Sequence, residues 1–275
     1  MQGIDAHCHF WRPSRGDYGW LDGQGGPLAP IRRDFLPADY PADARLIVVQ
    51  AAPSLAETDF LLSLAAEAPQ IAGVVGWVDL SDPDAAGILA QRAQNPLLKG
   101  VRPMLQDIAE TEWLTRHARP DAIETLCDLG LRFDALVTAR HLPMLARFAE
   151  RYDNLPLVID HAAKPQPGAR DDWERGMQAL AALPHVHCKL SGLMTELSAD
   201  ELADPLPALR AITDRLLDWF GADRLIWGSD WPVLTLAAPY GDWSDLTARL
   251  LENLSDIGRN AILRGNAARF YGVRA

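Results

Sequence analysis

Apolar residues along this chain come in short, β-branched runs, each followed by a longer stretch in which apolar positions recur every three or four residues. The runs cover 3–9, 45–51, 71–78, 98–102, 131–137, 157–161, 186–190 and 225–228. They begin about 25 to 45 residues apart, the period of a strand-loop-helix-loop unit. The stretches between them read as amphipathic helices. One opens at Pro120 and stops before Gly130, with proline in the first turn and glycine just past the last periodic residue. The longest spans 200–220, with Leu202, Leu206, Leu209, Ile212, Leu216 and Phe220 on one face; Pro205 and Pro207 confine its regular part to the residues after them.

Strands alternating with helices give an α/β fold, either a doubly wound open sheet or a closed barrel. The open sheet usually carries a glycine-rich, phosphate-cradling turn after its first strand. Here that turn reads His7-Cys8-His9-Phe10-Trp11, so the pattern predicts a single (β/α)8 barrel domain of the TIM type over residues 1–275. One long loop insert, 11–40, follows the first strand. It is rich in Gly, Pro, Trp and Arg, and is expected to cover the mouth of the barrel. No repeat, low-complexity run or linker marks a second domain.

The 275 residues are 48% hydrophobic, enough for one large core, and carry a net charge of −11. That charge argues against a nucleic-acid partner and offers no basic patch to an anionic membrane. The opening residues lack a basic segment followed by a long apolar one, and no later run is long enough to span a bilayer. Cys8, Cys127 and Cys188 are an odd, sparse set within or beside apolar runs. Reduced, buried thiols in a cytoplasmic protein are the expectation. Oligomeric state stays open, a homo-oligomer included.

Polar residues gather at the C-terminal ends of the runs, where barrels of this kind build their active sites from several strands at once. They are His7 and His9, Gln50, Arg102, Asp134, Asp160 and His161, Lys189 and Ser191, and Asp230. Alternation along a strand points His7 and His9 the same way and Cys8 the other. Any one of these has a structural explanation. Three histidines and an aspartate on the first, sixth and last strands together suit a bound cation or a hydrolytic proton relay. Asp5 and Asp160 are read as orienting their neighbours, Lys164-Pro165 as a turn, and His185 and His187 as structural.

The chain resembles the amidohydrolase superfamily, and within it the lactonase branch that holds the sugar-acid lactonases and the pyrone-dicarboxylate hydrolases. The resembling stretches follow in order: Ile4-Asp5-Ala6-His7-Cys8-His9-Phe10-Trp11, Arg33-Asp34-Phe35-Leu36-Pro37, Val49-Gln50-Ala51, Lys99-Gly100-Val101-Arg102, Ile159-Asp160-His161-Ala162-Ala163-Lys164-Pro165, Lys189-Leu190-Ser191-Gly192-Leu193 and Trp227-Gly228-Ser229-Asp230-Trp231-Pro232. The resemblance implies a hydrolase that opens a sugar-acid lactone such as an L-fuconolactone. Asp230 would activate water, His7, His9 and His161 would polarise the carbonyl, and Arg102 would hold substrate oxygens. Trp11, Trp20 and Trp231 lie in predicted mouth loops, where each is read either as core or as a flat apolar ring packing on a sugar face. A two-metal centre is not expected, because the fifth strand ends Leu131-Arg132-Phe133-Asp134 without a histidine, and His141 lies in the next predicted helix. Either one divalent ion, zinc, is held by His7, His9, His161 and Asp230, or none is required and hydrolysis survives chelation. Pyrone-dicarboxylate hydrolysis and metal-dependent decarboxylation are the alternatives. A planar dicarboxylate, though, calls for several arginines, and only Arg102 falls at a strand end.

Overall fold

The structure, a computed structural model, describes residues 3–23, 25–166 and 170–274. Each apolar run contains a strand: β1 Ile4–Cys8, β2 Arg45–Val49, β3 Ile71–Gly76, β4 Leu98–Val101, β5 Arg132–Ala135, β6 Leu157–Ile159, β7 Val186–Leu190 and β8 Leu225–Trp227. All neighbours pair in parallel, in sequence order from β1 to β8. Helices follow the strands from β2 onward, the main ones at Leu55–Glu67, Ala85–Arg92, Pro120–Asp128, Leu142–Arg151, Arg170–Ala181, Pro205–Phe220 and Tyr240–Leu250. This is the expected (β/α)8 barrel.

Two helix ends show how local chemistry sets the boundaries. Gly130 adopts φ 63°, the left-handed conformation that ends a helix. The helix expected to begin after Pro207 instead begins at Pro205. Both prolines fall in its first turn, where a backbone N–H has no helical partner to lose.

The ring closes just beyond the last strand. Asp230 N donates to His7 O at 2.7 Å and His9 N to Trp231 O at 2.7 Å. The bonds that seal the barrel therefore set Asp230 against the first-strand histidines. Inside the barrel, Ile4, Ala6, Ile47, Val49, Val75, Val158 and Ile226 pack with Ala267, Phe270 and Tyr271 of the C-terminal helix Asn266–Tyr271. Arg132, which opens β5, donates from Nε to Phe270 O, so that helix closes the end of the barrel opposite the site.

Between β1 and β2 the described residues form no α-helix and no named strand. Single turns at Pro13–Arg15, Gly19–Leu21, Ala29–Ile31 and Pro37–Asp39 and a bridge between Trp11 and Phe35 order the segment. Side chains pin it down: Trp20 Nε1 donates to Ala51 O at 2.7 Å, and Tyr18 OH to Glu57 Oε2 at 2.5 Å. Among the described residues no helix is long and apolar enough to cross a membrane. All three cysteines are free, with Cys8 and Cys188 buried.

Candidate active site

β1 carries a bulge. Asp5 pairs with Leu46 and Cys8 with Val48, so the register slips between them. A bulge re-aims side chains next to many active sites. Here Asp5 and Cys8 face away from the barrel interior, while the His7 and His9 rings meet at 4.9 Å between centroids. The Asp5 carboxylate fastens the seam from behind, accepting from His7 N at 3.1 Å, Ser229 N at 2.8 Å and Tyr40 OH at 2.6 Å.

The other two members sit on strained backbone. Asp230 has φ 61°, and His161, Ala162, Ala163 and Lys164 form a left-handed run with φ between 49° and 57°. Left-handed backbone costs about 1–2 kcal/mol per non-glycine residue, and such strain concentrates where function requires it. Trp173 Nε1 holds the run by donating to Ala162 O at 2.7 Å. Two glycines make room for the rings. A Cβ on Gly228 would lie 2.6 Å from His7 Cβ, and one on Gly192, itself at φ 62°, would strike the His161 ring.

Asp230 Oδ1 is the focus. It lies 3.2 Å from His9 Nε2, 3.8 Å from His7 Nε2 and 3.8 Å from His161 Nε2. His9 Nδ1 is 2.8 Å from Val49 O. A carbonyl only accepts, so Nδ1 carries a proton and the Nε2 of a neutral His9 turns a bare lone pair on the Asp230 carboxylate. Two acceptors at that distance need a proton or a cation between them. Burial would raise the Asp230 carboxyl, but the surrounding imidazoles, His161 and His9 foremost, outweigh it and hold it below the usual carboxylate range. Burial pushes His161 down to about 4, and burial with the Lys189 charge holds His7 well below an ordinary histidine.

Beneath this layer is a buried charge cluster. Lys189 Nζ lies 2.5 Å from Asp134 Oδ2, 3.1 Å from Asp160 Oδ1 and 3.0 Å from His7 Nδ1, and Tyr271 OH donates to Asp134 Oδ2 at 2.8 Å. Burial lifts Asp134 to about 6, whereas Lys189 and His7 outweigh burial at Asp160 and hold it well below the ordinary value. Three buried carboxylates, Asp134, Asp160 and Asp230, face two buried cations, Lys189 and Arg102. The shortfall of one positive charge suits a bound cation or a proton.

A cavity of about 210 Å³ opens above the cluster, its wall including His9, His161, Asp230, Arg102, Trp20 and Lys164. The expectations for the other two tryptophans need correction. Trp11 is 0% exposed, with Nε1 donating to Ile31 O and Arg33 O, and Trp231 packs among Phe10, Phe35 and Tyr40. Both serve as core beneath the mouth segment, because their indoles are consumed in holding that segment to the barrel. His7 also lies below the wall, 0% exposed. Lys164, read from the sequence as part of a turn, is on the wall and paired with Glu196 at 3.5 Å. His141 stays outside the site, its Nδ1 accepting from Thr138 N at 3.2 Å. Nothing in the local pattern marked Met104, Gln106, Leu136 or Val233 as wall residues.

Residues 4–273 match the family model described as amidohydrolase. The chain belongs to the amidohydrolase family. Two L-fucono-1,5-lactonases are similar over nearly the whole length. That of Burkholderia ambifaria is 44% identical over 98% of this chain and 95% of its own, and that of Burkholderia multivorans 41% identical over 98% and 96%. A crystal structure of an amidohydrolase from Burkholderia multivorans with bound zinc superposes with a TM-score of 0.85 at 38% identity, covering all of both chains. In this amidohydrolase, His7, His9 and Asp230 bring ligand atoms within 4.8 Å of one another. His9 Nε2 at 3.2 Å from Asp230 Oδ1, with the missing positive charge, fits a divalent ion, and a nitrogen and oxygen donor set suits zinc.

Proposed function

We propose that this amidohydrolase opens the ring ester of a sugar-acid lactone to the aldonic acid, with Asp230 as the base that activates water. The observation that carries the reading is the convergence of three imidazoles on one carboxylate oxygen, Asp230 Oδ1, at the edge of a small cavity. Attack of water on an ester carbonyl requires removal of a proton and stabilisation of the oxyanion that forms. Asp230, held ionised, takes the proton. His161, held neutral by burial, offers hydrogen-bonding capacity at the cavity wall without adding charge. His7, packed beneath, supports Asp230 from below. The proton then passes to the ring oxygen as the acyl C–O bond breaks. Lys164 on the wall attracts the carboxylate of the product.

His9 and Asp230, with His7 and His161 beside them, are the residues that would hold a zinc ion. Bound there, it would polarise the carbonyl and make water more acidic. The likeness to two L-fucono-1,5-lactonases supports a sugar lactone as substrate. So does the cavity, whose wall carries one arginine. Arg102 is already engaged, Nη2 donating to Gln50 O and Nη1 standing 3.6 Å from Asp160 Oδ2. A pyrone dicarboxylate would find little free guanidinium there. The test is a pH-indicator assay of the purified enzyme on a panel of aldonolactones and on pyrone dicarboxylate. Hydrolysis of one or more aldonolactones in preference to the dicarboxylate is expected; the reverse order would overturn the substrate choice.

A further inference from the structure

A second cavity, of about 540 Å³, adjoins the one that holds Asp230, and the two share Trp20, Met104 and Asp107 as a common wall. Small-molecule sites usually enclose about 300–1,000 Å³. The inner cavity, at about 210 Å³, falls below that range, and the outer one lies within it. The outer wall carries three indoles, Trp20, Trp77 and Trp113, and the carboxylates of Asp17, Asp79 and Asp107. No lysine or arginine is among its lining residues. The indole of Trp20 is fixed by its bond to Ala51 O at 2.7 Å, so the shared wall is built rather than improvised. Asp17 Oδ1 is buried with no hydrogen-bond partner, although Oδ2 of the same side chain accepts from Arg15 and Ser54.

Flat apolar rings interleaved with acceptor-only groups match a ring that has apolar faces and hydroxyl edges. The absence of cations from the lining disfavours an anionic ligand, and the carboxylates of Asp79 and Asp107 would repel one, Asp17 being already paired with Arg15 at 2.8 Å. From this we infer that the outer cavity is a subsite for a second, neutral sugar ring attached to the lactone through one of its hydroxyls. The preferred substrates are then two-ring lactones, with the ester at Asp230 and the appended ring among Trp20, Trp77 and Trp113. The inference rests on the lactonase reading of the inner cavity and extends it.

The probes are L-fucono-1,5-lactone and its 2-, 3- and 4-O-hexosyl derivatives, assayed with wild type and with Trp113→Leu. Trp113 lines the outer cavity and not the inner, and leucine keeps apolar bulk while removing the flat ring. For at least one derivative, kcat/KM should match or exceed that of the parent lactone. Trp113→Leu should lower kcat/KM for that derivative about five- to tenfold, the scale of one aromatic contact. It should leave the parent lactone and the thermal midpoint unchanged. Hydrolysis of the parent alone, or an equal effect of Trp113→Leu on both substrates, would refute the subsite and leave the lactonase reading standing. If neither parent nor derivatives are hydrolysed, the lactonase reading falls as well.

Discussion

Asp230 combines two demands at one position: a carboxylate aimed at three imidazoles and a backbone at φ 61°. Asparagine tolerates left-handed backbone at least as well as aspartate and keeps the shape of the side chain, but it cannot take a proton from water. Asp230→Asn is therefore expected to lower lactone turnover about 100-fold or more, in line with general-base contributions, with a thermal midpoint close to wild type. Turnover within a few-fold of wild type would remove Asp230 from the mechanism. Trp20 offers a second residue-level test, since its ring faces both cavities while its N–H is tied to Ala51 O. Trp20→Ala should reduce kcat/KM for L-fucono-1,5-lactone more than for unsubstituted δ-valerolactone, which has no hydroxyl-bearing face to stack. Equal losses on both would assign the ring to packing alone. At this scale the sequence was legible where chemistry is rare and local: a His-x-His pair, a late Asp, an Arg at a strand end. Trp11, Trp20 and Trp231 were not distinguishable there, because their roles depend on which distant carbonyls and rings each indole meets.

At the scale of elements, the helix Leu55–Glu67 shows how one connection is tied to the next. Ser54 caps it, accepting from Glu57 N at 3.0 Å, and the Glu57 carboxyl reaches back to Ala51 N at 3.2 Å while taking the Tyr18 hydroxyl. Glu57 thus joins β2, this helix and the segment after β1. Burial lifts its carboxyl to about 7 from an ordinary 4.5. An acid whose pKa is raised on folding adds stability that is complete below its unfolded value and fades as pH climbs through the folded one. Its contribution should therefore be present near pH 4.5 and lost through about pH 7, up to about 3 kcal/mol. Denaturant midpoints of wild type and Glu57→Gln between pH 5 and 8.5 check this. Wild type should lose more stability than the variant as pH rises, and parallel curves would exclude Glu57. The hydrophobic runs foretold the strands and the Pro120–Asp128 helix because periodicity and caps are local signals. The bulge in β1 and the left-handed run after β6 carry no such signal. They exist because the seam with β8 and the Ser191–Gly192 turn leave the imidazoles one place to go.

Across the whole molecule, the C-terminal helix acts as a plug that reaches the site through the charge cluster. Phe270 packs inside the barrel, and Tyr271 OH meets the same Asp134 oxygen that Lys189 approaches from below His7. Phe270→Ala should cost about 3–5 kcal/mol in denaturant unfolding, as large-to-small changes in a core do. Tyr271→Phe, which keeps the ring and deletes one hydrogen bond to a buried carboxylate, should cost about 1–3 kcal/mol. A loss below 1 kcal/mol for Phe270→Ala would mean that the barrel is stable without the plug. Removing the Tyr271 hydroxyl leaves Lys189 as the principal partner of Asp134, so turnover should fall much less than with Asp230→Asn.

The sequence by itself determined the alternation of strands and helices, the closed barrel rather than a phosphate-binding open sheet, and the strand ends from which His7, His9, Arg102, His161 and Asp230 project. Those properties follow from hydrophobic period and from residue types at run ends, which neighbouring residues suffice to specify. Only the tertiary structure decided depth and pairing. It put His7 beneath the cavity against Lys189, set His9 Nε2 against Asp230 Oδ1, buried Trp11 and exposed Trp20 to two cavities. Each of these depends on a hydrogen bond or a burial imposed by residues far along the chain. Protonation, strain and accessible volume respond to that surrounding, which no local pattern contains.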